Sequence, residues 1–155
     1  MKILIATDAY FPQVNGVVRT LHQTGELLKE QGHTVEYITP ESFLTFPMPK
    51  YNEIRISINV WPKVGSLIKK IKPDAIHIAT EGPIGTMARR YCLKNNLKFT
   101  TSFHTRFDKY LKLYFPIIPT KWAEKFLANF HNKAELSLIH ISEPTRPRLI
   151  SYAVF

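Results

Sequence analysis

Asn15-Gly16, His104 and Arg106 are the residues whose types and places in the chain could do chemistry. Asn15-Gly16 lies between a short apolar run, Ile3 to Ala6, and a stretch where Val17, Val18, Leu21, Leu27 and Leu28 return at helical spacing. An Asn at such a corner can accept a hydrogen bond from the first helical turn. A Gly without Cβ lets an anion approach the free N–H groups and the positive end of the helix dipole. An ordinary Asn-Gly turn would satisfy the same pair. The spacing matches neither G-x-G-x-x-G nor G-x-x-x-x-G-K-[ST], so a dinucleotide fingerprint and a P-loop both lose weight. His104 and Arg106 sit in FTTSFHTRF, Phe99 to Phe107, where Thr100, Thr101 and Ser102 close a strand. A histidine projecting from that end can hydrogen-bond a sugar hydroxyl or polarise a reacting group. Arg106 offers a planar fork for phosphate or carboxylate. A satisfied loop histidine and an Arg106–Asp108 surface pair are the plainer readings. His77, inside the apolar stretch AIHIA, reads as a hydrogen-bonded core histidine.

These residues need elements to hold them. Strands are expected at Lys2 to Thr7, Thr34 to Thr39, Arg55 to Ile58, Ala75 to Ala79 and Lys98 to Ser102. Helices are expected at Gly16 to Gln31, Lys63 to Ile71, Pro83 to Asn95 and Thr120 to His131. Gly32 stands where a helix end favours a left-handed residue, and Pro83 fits a first helical position. Alternation with short joins predicts an α/β fold, a Rossmann-like parallel sheet with helices on both faces. Ligands in such folds bind beyond the carboxyl ends of the strands, where strand order reverses. Three loops would lie there: Asp8 to Asn15, Thr80 to Gly82, and Phe103 to Asp108. The Pro-broken stretch Pro40 to Lys50 reads as a loop.

Composition bounds the class. The 155 residues, 45% of them hydrophobic, suffice for one core. No apolar run reaches the roughly 18 residues of a membrane span. Asp8 breaks the N-terminal run too early for a signal peptide, so the cytoplasm is the default. The single cysteine, Cys92, excludes an internal disulfide framework and reads as a small buried hydrophobe; no zinc-ligand pair is present. The formal charge is +9, from 21 Lys and Arg against 12 Asp and Glu, with one Lys group at 63–72 and another at 109–125. Such an excess favours anionic partners, whether phosphorylated nucleotides, acidic headgroups or nucleic acid. A solvated basic surface is the plain reading, and no C2H2 or RNP-like motif supports sequence-reading of nucleic acid.

Four segments in order, KILIATDAYFPQVNGVVRTL, QGHTV, DAIHIATEGPIGTMARRY and FTTSFHTRFDKY, resemble the N-terminal half of a GT-B glycosyltransferase of family 4. The likeness runs from Met1 to about His131 and is strongest to a bacterial mannosyltransferase-like, glycolipid-synthesising subgroup. It implies retaining transfer of a hexose, mannose favoured, from a nucleotide sugar to a lipid or glycan acceptor. The nucleotide sugar is then a co-substrate, and neither a further cofactor nor a metal is implied. Residues Asn15, Gly16 and Val17 match the corner that approaches the donor diphosphate. His104 matches the catalytic loop histidine beside the transferred sugar, and Tyr10, Glu81 and Arg106 fall on the acceptor side.

Family members continue into a second Rossmann-like domain that binds the nucleotide, and this chain stops before it. The expectation is therefore an incomplete acceptor-side domain at 1–135, inactive alone. Leu136 to Arg146, LSLIHISEPTR, resembles the translation of a transposase sequencing adapter, so 136–155 is expected to be a non-native tail, although SLIHIS also has strand composition. Tyr110 to Phe130 mixes Lys with aromatics, suiting an anionic surface on the inner face of a membrane. Plain packing of the last helix through Trp122, Phe126 and Phe130 would use the same residues. Two other classes stay open: a stand-alone α/β nucleotide- or phosphate-binding module, and a basic peripheral membrane protein without catalysis.

Overall fold

The structure is a computed structural model that describes residues 1–48, 51–103 and 120–139. Its elements run β1 (Lys2–Ala6), α1 (Gly16–Glu30), β2 (Thr34–Ile38), a 3-10 turn (Pro40–Ser42), β3 (Thr45–Met48), β4 (Tyr51–Ser57), α2 (Lys63–Ile71), β5 (Ala75–Ile78), α3 (Pro83–Lys94), β6 (Thr100–Phe103), α4 (Thr120–His131) and β7 (Leu136–Ile139). Five strands form one sheet in the order β2-β1-β5-β6-β7. Every pairing in it is parallel, with Ile3 to Ala6 of β1 set against Val35 to Ile38 on one side and Ala75 to Ile78 on the other. This is the expected Rossmann-like α/β fold.

Alternating side chains of β1 feed two cores, as a strand buried on both faces must. Leu4 and Ala6 point to the face covered by Val64 and Ile68 of α2 and by Ile84 and Ala88 of α3. Ile5 points to the opposite face, where Leu21 of α1 packs with Val17 and Tyr37 around it. Cys92 is fully buried, and burial pushes its thiol up to about 11, the inert hydrophobe that its position suggests. Helices dock at close quarters. A Cβ on Gly25 would stand 1.7 Å from the Tyr37 hydroxyl, and one on Gly65 would stand 2.6 Å from the Tyr91 ring.

Local signals set the helix ends. The Asn15 side chain caps α1 by accepting from Val18 N at 3.0 Å, and Gly32 beyond its end has φ +82°. Pro83 occupies the start of α3, whose N-cap, Gly82, offers no side-chain hydrogen bond. A protein group elsewhere must serve that terminus, and the site depends on which one does.

One expectation fails. Pro40 to Lys50 is not plain loop: it contains the 3-10 turn and β3. Strand β3 pairs antiparallel with β4 in a two-stranded ribbon outside the main sheet. Pro47 lies opposite Arg55 in that ribbon. A ribbon of two strands is all edge, and an edge tolerates the missing N–H that would exclude Pro from a central strand. The strand expected at Arg55 to Ile58 belongs to this ribbon, so the parallel sheet passes directly from β2 to β5 in the chain.

Candidate active site at the strand switch point

Strand order reverses between β1 and β5, because β2 lies on one side of β1 while all later sheet strands lie on the other. The crevice beyond the carboxyl ends of those two strands is therefore the expected ligand position. Two helices, α1 and α3, begin beside it, so two sets of N–H groups face the same region.

The α3 terminus is already occupied. Asp8, just past β1, accepts from Ile84 N at 2.8 Å and from Gly85 N at 3.1 Å. The Thr80 hydroxyl donates to the same carboxylate at 2.8 Å and accepts from Asp8 N at 2.7 Å. The fit leaves no spare room: a Cβ on Gly82 would stand 2.5 Å from the Asp8 carboxylate, and one on Gly85 would stand 1.8 Å from the Thr80 carbonyl oxygen. Burial pushes the Asp8 carboxyl up to about 6; hydrogen bonds from Ile84, Gly85 and Thr80 act against it, and the nearby charge of Glu81 adds to it. In the sequence Asp8 reads as the end of an apolar run and the start of a loop at the ligand edge, not as a helix cap. A usable signal was the Gly82-Pro83 helix start, which has no capping side chain of its own and therefore needs an acidic partner from another strand end.

The α1 terminus is arranged differently. Its side-chain cap, Asn15, takes one N–H, and Gly16 is exposed. A Cβ placed on Gly16 would meet nothing within 4 Å among the described residues. Val17, half-buried, packs against the α1-side core. Two helix N-termini thus flank the switch point. One is filled by the protein's own carboxylate, and the other presents an open glycine corner that an anion can approach.

Tyr10 lies between the rings of Phe11 and Tyr37, at centroid distances of 5.3 and 5.0 Å. It lines a cavity of about 340 Å³ with Gln13, Glu41, Phe43, Thr45 and Arg55. Arg55 reaches in from β4, its Nε donating to Thr45 Oγ1 at 2.6 Å. Aromatic walls with a guanidinium and a carboxylate suit a polar, ring-bearing ligand. The ribbon that the Pro-rich sequence concealed supplies Thr45 and Arg55. Another cavity, about 360 Å³, opens under Cys92, Phe99 and Glu135 at the amino-terminal edge of the sheet and carries none of the site residues.

Glu81 turns its carboxylate to His131 at the end of α4, with Oε1 3.2 Å from Nε2. His77 behaves as expected for a core histidine, with Nδ1 2.8 Å from Thr100 Oγ1 and Nε2 3.1 Å from Ser102 Oγ. His104 and Arg106 follow β6 in the chain but lie outside the described residues. The structure thus brings Tyr10, Asn15, Gly16, Val17 and Glu81 to the carboxyl edge of one sheet. Among the described residues, no group of three or more His, Cys, Asp or Glu side chains could hold a metal ion.

A parallel α/β sheet with a glycine-cornered helix start at its switch point defines the class: a Rossmann-like domain suited to an anionic ligand. The chain belongs to Glycosyltransferase Family 4, whose model matches residues 14–154. It is 25% identical over 124 residues to an alpha-monoglucosyldiacylglycerol synthase of Streptococcus pneumoniae, covering 72% of this chain and 28% of that protein. It is 25% identical over 153 residues to a sulfoquinovosyl transferase of Arabidopsis thaliana, covering 88% of this chain and 29% of the relative. Against a GDP-mannose-dependent alpha-mannosyltransferase of Corynebacterium glutamicum, identity is 22% over 156 residues, covering 89% and 37%. The chain thus spans about a third of the length of these curated relatives.

Proposed function

We propose that this chain forms the acceptor-side, N-terminal part of a GT-B glycosyltransferase that moves a hexose, mannose favoured, from a nucleotide sugar to a lipid or glycan acceptor with retention. The observation that carries this reading is the pairing of helix starts: Asp8 fills the α3 terminus, whereas the α1 corner at Gly16 is exposed and meets no described atom. A diphosphate approaching that corner would be stabilised by N–H groups and the helix dipole as its negative charge develops. Asn15 shapes the corner, Gly16 admits the phosphate, and the Val17 backbone faces it. His104 would meet the transferred sugar. Tyr10, Glu81 and Arg106 would bound the acceptor side, the cavity beside Tyr10 receiving a polar head.

The nucleotide and the remaining basic groups would be held by a C-terminal domain beyond this chain. Residues 1–135 are then the acceptor-side domain. We place 136–155 outside it, β7 notwithstanding, because Leu136 to Arg146 reads as an adapter translation; the uninterrupted genomic reading frame tests that boundary. Hexose transfer by the product of that frame, with this chain assayed beside it, tests the function. Tight nucleoside-diphosphate binding by this chain unaided would favour a stand-alone phosphate-binding module instead.

The surface of α4 supports a location on the inner face of a membrane. Among its described side chains, Leu127 and Phe130 are buried, 7% and 3% exposed, while Trp122 and Phe126 stand 75% and 45% exposed beside exposed Lys121 and Lys125. Packing therefore accounts for Phe130 and leaves two aromatics and two lysines outward, a composition suited to the headgroup region. No helix among the described residues is long and apolar enough to cross a membrane. Each lysine near an anionic surface contributes about 1 kcal/mol, screened by salt. The chain should sediment with vesicles rich in anionic lipid at low salt, release as salt rises, and ignore neutral vesicles. Equal behaviour with both kinds of vesicle would contradict this placement.

A further inference from the structure

We propose that His131 is a positioning residue of the site, which fixes Glu81 and, through it, the Thr80 to Gly82 rim of the switch-point crevice. The imidazole stands between two elements distant in sequence. Its Nε2 is 3.2 Å from Glu81 Oε1, and its Nδ1 is 2.9 Å from Thr101 Oγ1 and 3.3 Å from Ser137 Oγ. Only 13% of the His131 side chain and 8% of the Glu81 side chain are exposed. An unpaired carboxylate withdrawn so far from water is costly, so the pair holds its geometry firmly.

The neighbours assign the proton. A carboxylate only accepts, so Nε2 carries hydrogen and donates to Glu81, while Nδ1 faces the buried Thr101 hydroxyl. The end of α4 is itself anchored. Arg89 of α3 donates from Nε to the Phe130 carbonyl at 2.9 Å and from Nη2 to the Asn129 carbonyl at 2.6 Å. Phe103 and Phe130 set their rings at 81° and 68° to the imidazole. His131 is therefore a fixed post, and Glu81 is tied to it.

The tied loop is the same one that meets Asp8. Thr80 engages Asp8 through its hydroxyl, and the Glu81 carbonyl accepts from Thr86 Oγ1 at 3.1 Å. The rim is thus held from β1, from α3 and, by His131, from α4. Released from His131, the Glu81 carboxylate would turn to water and carry the rim away from the crevice. This role rests on the transferase reading above, because a rim matters only if substrate meets it.

Two measurements test it, and they fail separately. The first uses this 155-residue chain with ¹⁵N-labelled histidine and reads each imidazole by NMR. His131 should show the Nε2–H form with a protected proton. In Glu81→Ala that proton should exchange about tenfold faster or more, while the His77 signals stay in place. An Nδ1–H form, or protection unchanged in Glu81→Ala, would overturn the pairing. The second is a transfer assay in the longer enzyme. His131→Phe keeps the ring volume and loses the donor, so the acceptor KM should rise about tenfold with kcat little changed. His131→Gln, whose amide can donate to Glu81, should restore it. A folded His131→Phe protein with normal acceptor KM would overturn the positioning role even if the NMR result holds. Absence of transfer by the unsubstituted enzyme would instead overturn the transferase reading, and the NMR measurement would then decide the His131–Glu81 pairing alone.

Discussion

Gly16→Val, introduced into the longer enzyme, should lower kcat/KM for hexose transfer by about 10² or more while leaving the fold intact, in line with the loss of one well-placed charge-stabilising contact. The two halves of that expectation come from the same geometry. A Cβ at Gly16 meets nothing within 4 Å among the described residues, so the fold has room for the new side chain. In the proposed function that open space is the path of the diphosphate to the α1 terminus, and a branched side chain would fill it. Helix propensity does not oppose the change, since Val is no worse than Gly within a helix. Gly16→Ala should fall between the two. His104→Ala should reduce turnover by a comparable factor of about 10² if the imidazole meets hydroxyl or charge in the transition state. Circular dichroism and thermal melting check the fold, and steady-state kinetics check the activity. Near-normal transfer by both folded variants would remove the crevice from consideration as the site.

Asp8 should make the chain less stable as pH rises from about 4 through about 6. Its carboxyl, near 3.8 when unfolded, rises to about 6 in the folded protein, chiefly because it is buried. A raised folded value means that the folded state binds the proton more tightly. The stabilisation is complete below the unfolded value and is lost as pH climbs through about 6. At 1.36 kcal/mol per unit, and with part of the loss already incurred at pH 4, the loss between pH 4 and pH 7 amounts to about 2 kcal/mol. Other groups titrate over that range, so the measurement is the difference in unfolding free energy between wild type and Asp8→Asn, followed by urea denaturation. That difference should shift against wild type by about 2 kcal/mol as pH rises from 4 to 7. At pH 4, where little of that stabilisation has been lost, Asp8→Ala should cost about 1–3 kcal/mol, because it leaves the Ile84 and Gly85 N–H groups without their acceptor. A pH-independent difference for Asp8→Asn would place the carboxylate in water and dissolve the cap.

Much of the architecture was legible because it is local. The apolar run Ile3 to Ala6, the Asn15 cap, the left-handed Gly32 and the Pro83 helix start each depend on a few neighbours, and each appears where the sequence places it. The α4 boundaries, Thr120–His131, coincide with expectation; of the residues that plain packing would use, only Phe130 is buried. Leu127 and Phe130 face inward, and Trp122 does not join them. What escaped was non-local or masked by composition. Asp8 caps a helix that begins 75 residues later, and His131 meets Glu81 across 50 residues. Neither contact leaves a periodic trace. The β3–β4 ribbon was hidden by Pro47, whose cost vanishes on an edge. Gly16 and Asn15 were visible as a corner, but only the filled α3 terminus distinguishes that corner as the open one.

The most direct test is transfer of radiolabelled hexose from a nucleotide sugar to lipid and glycan acceptors. It compares the product of the uninterrupted reading frame with the purified 155-residue chain. The full product should transfer label with retention of anomeric configuration, and this chain alone should transfer none, since the nucleotide-binding domain is proposed to lie beyond it. Transfer by this chain unaided, or none by the full product with any nucleotide sugar, would contradict the assignment of these residues as the acceptor-side half of a glycosyltransferase.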